Sequence, residues 1–264
     1  MTTLPSYIPV MSQYRRWLGE THNLTFADYE AMRQWSVTDL DAFWQSIWDY
    51  FDLQSPTPHT AVLADRRMPG AMWFPGASVN YARQVLRHVA PAEAAGVPAI
   101  ISAGEDGVLH ETSWRDLKRQ AAALALHLRA QGIGKGDRVA AYLPNIPETI
   151  VAFLATASIG AIWSVCAPDM AAPAVIDRFK QIEPKVLIAT DAVAYADRRH
   201  DRADVIAALR EAATAGLPLL ALGGVTPERV PECLAAGASG VACIRAVLSA
   251  HDPGDALRSI YPQP

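Results

Sequence analysis

Residues 218–244 read PLLALGGVTPERVPECLAAGASGVACI. An apolar run stops at Gly223-Gly224, a helical pattern follows, and a second apolar run closes the stretch. This is a β-α-β unit whose glycine turn suits phosphate, because glycine lets backbone N–H groups approach an anion closely. The same pair could serve as a bare turn, and both readings stand. A second cluster is ADRRHDR, residues 196–202, which gathers Arg198, Arg199 and Arg202. Arginine suits phosphate because its planar fork donates two hydrogen bonds at once. Here the competing reading is a solvated, polar helix start, since Asp197, Asp201 and Asp204 alternate with the arginines.

Other residue types offer less. GIGKGDRVAAYLPN contains Gly-Lys-Gly-Asp, but the spacing is not G-x-x-x-x-G-K-[ST], and Lys135 precedes a strand rather than a helix. It reads as a plain turn. The seven histidines, from His22 to His251, are scattered without metal-ligand spacing, and no Ser-His-Asp or Cys-His arrangement can be inferred. No catalytic residue is therefore named, and no metal site. The three cysteines, Cys166, Cys233 and Cys243, form no Cys-x-x-Cys pair, so reduced thiols in a cytoplasmic protein are expected.

Composition narrows the class. With 51% hydrophobic and 19% charged residues over 264 positions, the chain can bury a core of one large domain or two small ones. A formal net charge of −4 lacks the basic excess of a general nucleic-acid-binding surface. No apolar run reaches the roughly 18 residues of a membrane-spanning helix, and MTTLPSYIPVMSQYRRW lacks the layout of a signal peptide.

The elements that must position these groups follow from periodicity. In SVTDLDAFWQSIWDYFDL, Leu40, Phe43, Trp44, Ile47, Trp48 and Phe51 recur at helical spacing, with Ser36 and Asp39 as the capping start. Two apolar runs around Glu105-Asp106-Gly107 predict a hairpin. Ser113 with Asp116 predicts the cap of a helix through about residue 131, with Leu117, Ala121, Leu124 and Leu128 on its apolar face. A helix over 147–159, closed by Gly160, leads to the strand AIWSVC. VIDRFKQIEPKVLIAT repeats the plan, with a strand at 185–189. A third helix over 201–213 is expected to feed a strand at 218–222. Long helices alternating with short unbroken apolar strands predict an α/β fold with an open, mostly parallel sheet. Strand 218–222 should extend that same sheet.

Several segments carry a resemblance. WSVTDLDAFWQSIWDYFDL, MWFPGASVNYARQVL, GDRVAAYLPNIPETIVAFLATASIGAIWS and DRFKQIEPKVLIA resemble, in order and spacing, the N-terminal half of the acetoacetyl-CoA synthetases, which are adenylate-forming acyl-CoA synthetases. The match covers about residues 10–210. It implies an acid–thiol ligase that uses ATP, Mg2+ and coenzyme A to make an acyl-adenylate and then an acyl-CoA. It also implies that Arg198, Arg199 and Arg202 meet the 3′-phosphate of coenzyme A. The family holds ATP phosphates on a Ser/Thr/Gly-rich loop ending in Gly-x-x-Lys, where backbone N–H groups surround the oxygens. No such run occurs here, nor counterparts of the family's later acidic residue and C-terminal lysine. SVCAPDMAAPAV also departs locally, with Met170 and Ala171 replacing a Phe-Gly pair.

From about Gly216 the chain resembles instead the last strands and helices of a thiamine-phosphate synthase or TenI-type barrel. That resemblance implies a C-terminal βαβα unit in which Gly223, Gly224, Ile244 and Arg245 bind phosphate, as the ends of strands seven and eight do in such barrels. The expected division is a helical, aromatic-rich region over 1–80, a partial AMP-dependent synthetase domain over 81–213 and the barrel-like segment over 214–264. Three functions are expected in turn: an incomplete acetoacetate–CoA ligase acting on small molecules, a phosphate-ligand binder of the thiamine type, or a non-catalytic fused or truncated product. No nucleic-acid or membrane partner is expected.

Overall fold

The computed structural model describes residues 9–190, 192–196, 198–202, 204–205, 207, 219–222, 230–231 and 240–242. It divides into two compact units, one ending at Val79 and one beginning at Asn80.

The first unit contains helices α1 (Val10–His22), α2 (Tyr29–Thr38) and α3 (Leu40–Tyr50), and a short antiparallel pair, β1 (Leu63–Asp65) and β2 (Met72–Trp73). Its centre is Tyr14, Leu18 and Met32, packed against Trp17, Trp35, Phe43, Ile47 and Tyr50 among others. A fully buried large apolar side chain contributes about 1.5–3 kcal/mol, and the aromatics supply this unit with most of its apolar bulk. The Tyr14 hydroxyl shares a hydrogen bond of 2.5 Å with the buried Ser46 hydroxyl. One expected cap moves. Ser36 lies inside α2 and donates to the Arg33 carbonyl, whereas Asp39 accepts from the Ala42 N–H and starts α3. The aspartate wins because its carboxylate stands where the chain leaves helical geometry, between two helices that share it as a boundary. The expected stripe is also only half buried: Phe43 and Ile47 face the core, while Trp44 and Phe51 are exposed.

The second unit opens with α4 (Tyr81–Leu86) and α5 (Val89–Ala94), then the hairpin β3 (Ile100–Ala103) and β4 (Leu109–Thr112). Helix α6 (Trp114–Ala130) begins at Ser113, whose Oγ accepts from the Asp116 N–H. Strand β5 (Arg138–Tyr142), α7 (Pro147–Ser158), β6 (Ile162–Cys166), α8 (Ala172–Ile182) and β7 (Val186–Ala189) follow. Gly160 takes φ +76° after α7, the left-handed position at which a helix commonly ends on glycine. Next come a second hairpin, β8 (Ala192–Tyr195) with β9 (Arg198–Asp201), and strands β10 (Leu219–Leu222) and β11 (Gly240–Ala242).

Among the described residues five strands form one parallel sheet in the order β11-β10-β7-β5-β6. Alternation along β5 and β7 divides the core. Val139, Ala141, Val186 and Ile188 meet Leu124, Leu128, Ala152 and Ala155 of α6 and α7. Ala140, Tyr142, Leu187 and Ala189 meet Val175 and Phe179 of α8. Helices thus cover both faces, and strands buried on both faces need no polar alternation.

One expectation is corrected. The helix placed over 201–213 does not begin at Asp201, which is the last residue of β9; helical geometry is described at Asp204, Val205 and Ala207. Alternating charges suit a solvated hairpin as well as a solvated helix, and AVAY pairs with RRHD across a tight turn. The expected extension of the sheet by strand 218–222 is seen: β10 pairs with β7, and β11 with β10, in the same sheet.

Candidate functional site

In an open parallel sheet, ligands bind outside the carboxyl ends of the strands, where neighbouring connections leave in opposite directions. Here β6 lies on one side of β5 and β7 on the other, so that point falls between β5 and β7. The groups at this edge are Tyr142, the 167–171 loop after β6, Thr190 after β7, and the β8–β9 hairpin with Arg202.

Tyr142 ends β5 and is completely buried. Its hydroxyl donates to the Pro168 carbonyl at 2.7 Å and points also at the Met170 carbonyl, 3.1 Å away. Burial pushes its phenol above the ordinary value, and the Arg202 guanidinium opposes that shift only in part. It therefore stays protonated near neutrality and acts as a hydrogen-bond donor. Cys166, at the end of β6, is buried, and burial raises its thiol too, against a smaller opposing effect of Arg178. A thiol held neutral is a poor nucleophile. Thr190 receives the strand: its N–H donates to the Tyr142 carbonyl and its hydroxyl to the Ala192 carbonyl.

The structure separates the three arginines expected to meet phosphate. Arg198 and Arg199 lie on β9 and are exposed. Arg202 is half-buried and donates from Nε to the Pro168 carbonyl at 2.6 Å and from Nη1 to the Asp201 carbonyl at 3.0 Å. Gly223, Gly224, Ile244 and Arg245 lie outside the described residues. The Gly134–Asp137 segment is a turn, as its spacing implied. Asp137 accepts from the Gly134 N–H at 2.9 Å and pairs with Lys185 at 2.6 Å, while Arg138 donates to the Ile182 and Glu183 carbonyls at the end of α8. These groups hold the opposite edge of the sheet together.

Among the described residues no three His, Cys, Asp or Glu side chains gather as a metal site. The described carboxyl edge thus holds a neutral, buried phenol engaged to a loop carbonyl and two exposed arginines on β9. Sequence reasoning missed Tyr142 and Thr190. Nothing in an apolar strand ending in Tyr signals that its hydroxyl caps a loop some 26 residues on. The β8–β9 hairpin did leave a signal, an apolar run followed directly by Ala-Asp.

Comparison with known proteins adds the lineage. Residues 87–233 match the family model described as "AMP-binding enzyme", and residues 29–85 match "Acetyl-coenzyme A synthetase N-terminus". The first match crosses the join expected near residue 216. The chain is 42% identical over 191 residues to the acetoacetyl-coenzyme A synthetase of Rhizobium meliloti, covering 72% of this chain and 29% of that protein. It is 34% identical over 228 residues to the Xenopus tropicalis acetoacetyl-CoA synthetase, covering 85% and 33%. A malonamoyl-CoA synthetase of Penicillium aethiopicum is 34% identical over 186 residues, covering 69% and 26%. The solved acetoacetyl-CoA synthetase from Streptomyces lividans superposes with a TM-score of 0.75 at 42% identity, over 81% of this chain and 33% of that one. The chain thus spans a third or less of the length of these relatives.

Proposed function

The chain belongs to the AMP-binding enzyme family, and from that premise we propose that it serves in an ATP-dependent acid–coenzyme A ligase acting on a short acid with a carbonyl at the β position. The observation that carries the reading is the parallel sheet of residues 138–189 in a chain 42% identical to a protein named for acetoacetyl-CoA formation. The acid class comes from chemistry. Acetoacetate and malonamate share the –CO–CH2–COO⁻ skeleton and differ in a methyl against an amino group, and synthetases named for both resemble this chain. ATP and Mg2+ supply the activation of the carboxylate, and coenzyme A the accepting thiol. Within this chain, Tyr142 and Thr190 shape the carboxyl edge, and Arg198 and Arg199, on opposite faces of β9, are proposed as candidate phosphate contacts for coenzyme A.

No Ser/Thr/Gly-rich phosphate loop occurs in the 264 residues. Assayed by itself with ATP, Mg2+, acetoacetate and coenzyme A, this polypeptide is expected to release no AMP above background. A chimera in which residues 10–210 replace the matching stretch of the Rhizobium meliloti relative is expected to form acetoacetyl-CoA. A folded but inactive chimera would overturn the ligase reading.

A second reading is phosphate binding through Gly223-Gly224 with Ile244 and Arg245. It is favoured by the parallel strands β10 and β11, after which these residues come in sequence. Inorganic phosphate at millimolar concentration should then raise the thermal midpoint, and Gly224→Ala should abolish the rise. An unchanged midpoint in the parent protein would remove it.

A further inference from the structure

The β8–β9 hairpin stands apart from the five-stranded sheet and forms a two-stranded sheet of its own. A lone hairpin with four residues per strand is marginal in water. Its order therefore depends on contacts outside its own ladder, and the structure supplies them at three places. Thr190 donates to the Ala192 carbonyl at 2.8 Å where the hairpin begins. Arg202 donates to the Pro168 carbonyl at 2.6 Å just beyond its end. At the tip, the Ala196 N–H donates to Oε1 of Glu105 at 2.8 Å. Glu105 comes from the turn of the other hairpin, between β3 and β4, 91 positions earlier. Ala196 has φ +51°, a left-handed conformation that alanine adopts at a cost. The carboxylate thus holds the N–H of a turn residue whose backbone is strained.

We infer that Glu105 is a positioning residue: it latches the tip of the β8–β9 hairpin and so fixes the two rungs that carry Arg198 and Arg199, which leave the hairpin on opposite faces, so that an arginine of this strand is held ready for a phosphate group of a nucleotide-like ligand. This rests on the reading of those two arginines as phosphate contacts. Arg198 pairs with Tyr195 and Arg199 with Ala194, so both sit in the two rungs next to the latched turn. An unlatched tip frays, and ordering the strand and its contacting guanidinium again on binding costs conformational entropy. Arg202 spends Nε and Nη1 on the Pro168 and Asp201 carbonyls and so anchors the base of the hairpin.

The test uses the full 264-residue protein with coenzyme A and 3′-dephospho-coenzyme A as calorimetric probes, and trypsin cleavage after Arg198 and Arg199 as a second readout. The parent protein is expected to prefer coenzyme A. Glu105→Ala should reduce that preference about 2- to 10-fold, the span expected for one net hydrogen bond, and should accelerate cleavage, with the thermal midpoint of the whole protein unchanged. Simple removal of a negative charge would raise affinity for phosphate, so the direction separates latch from charge. Glu105→Gln keeps an acceptor oxygen and should restore both readouts, and Ala196→Gly, which relieves the left-handed strain, should lessen the effect of Glu105→Ala. Parent-like preference and cleavage in Glu105→Ala would overturn the inference. Equal binding of the two probes by the parent protein would refute the phosphate reading itself; cleavage would then judge the latch alone, and an unchanged rate in Glu105→Ala would refute that too.

Discussion

Tyr142 and Arg202 meet at one acceptor. The phenol donates to the Pro168 carbonyl at 2.7 Å, and the guanidinium Nε donates to the same oxygen at 2.6 Å. A strand end, a loop and the exit of a hairpin, distant in sequence, are joined at that oxygen.

Tyr142→Phe removes one donor and leaves the ring in place. The expected loss is about 0.5–1.5 kcal/mol, the net worth of one hydrogen bond, read as a lower urea midpoint at unchanged slope. Arg202→Gln should cost a similar amount, and the double variant should depart from additivity because both donors serve one oxygen. Strict additivity would show that the two bonds do not communicate.

Asp137 gives a pH dependence. The Lys185 ammonium, and after it the Gly134 N–H, hold its carboxyl below the usual aspartate range. In the unfolded chain it titrates near the ordinary value of about 3.9. A depressed folded value means stability that is fully present above the unfolded value and lost as pH falls through the folded one. Acid unfolding of Asp137→Asn should therefore show a shallower fall below about pH 4. Lys185 is half exposed, so salt should weaken its share and leave that of the Gly134 N–H.

Leu128 is completely buried among α6, α7 and the sheet, whereas Leu126, two positions earlier, is 65% exposed. Leu128→Ala should cost about 2–5 kcal/mol through lost transfer energy and a cavity. Leu126→Ala should change stability by less than about 0.5 kcal/mol. Comparable losses at the two sites in urea unfolding would contradict the described packing.

Ser113 accepts the Asp116 N–H at 3.0 Å, and its hydroxyl donates to the Asp116 carboxylate at 2.8 Å. Ser113→Ala should cost about 1 kcal/mol, and Ser113→Asp should retain most of the cap. A neutral alanine variant would mean that α6 is held by packing alone.

Much of this was legible where one local rule governs. The Glu105-Asp106-Gly107 turn, the Ser113 cap, the Leu117–Leu128 face and the apolar strands through 189 are each written in spacing. The acetoacetyl-CoA synthetase resemblance was carried by long ordered stretches, and the comparisons bear it out. What stayed hidden depends on contacts across the chain. ADRRHDR has no decisive period, so tertiary contacts with Glu105 and Pro168 choose hairpin over helix. Ser36 and Asp39 are both good caps by type, and only the meeting of α2 with α3 selects between them. The glycine and apolar spacing of 218–244 serves any parallel strand as well as one of a barrel. In the structure β10 joins β7 and β11 joins β10.

The order β11-β10-β7-β5-β6 also bears on how the sheet is assembled during synthesis. Taken in the sequence in which they leave the ribosome, β6 joins one flank of β5, β7 the opposite flank, and β10 and β11 follow outward from β7. Every newcomer meets a free border, and none has to wedge between partners already bonded. A nascent chain can therefore build this layer progressively, keeping each earlier pairing as the next strand arrives.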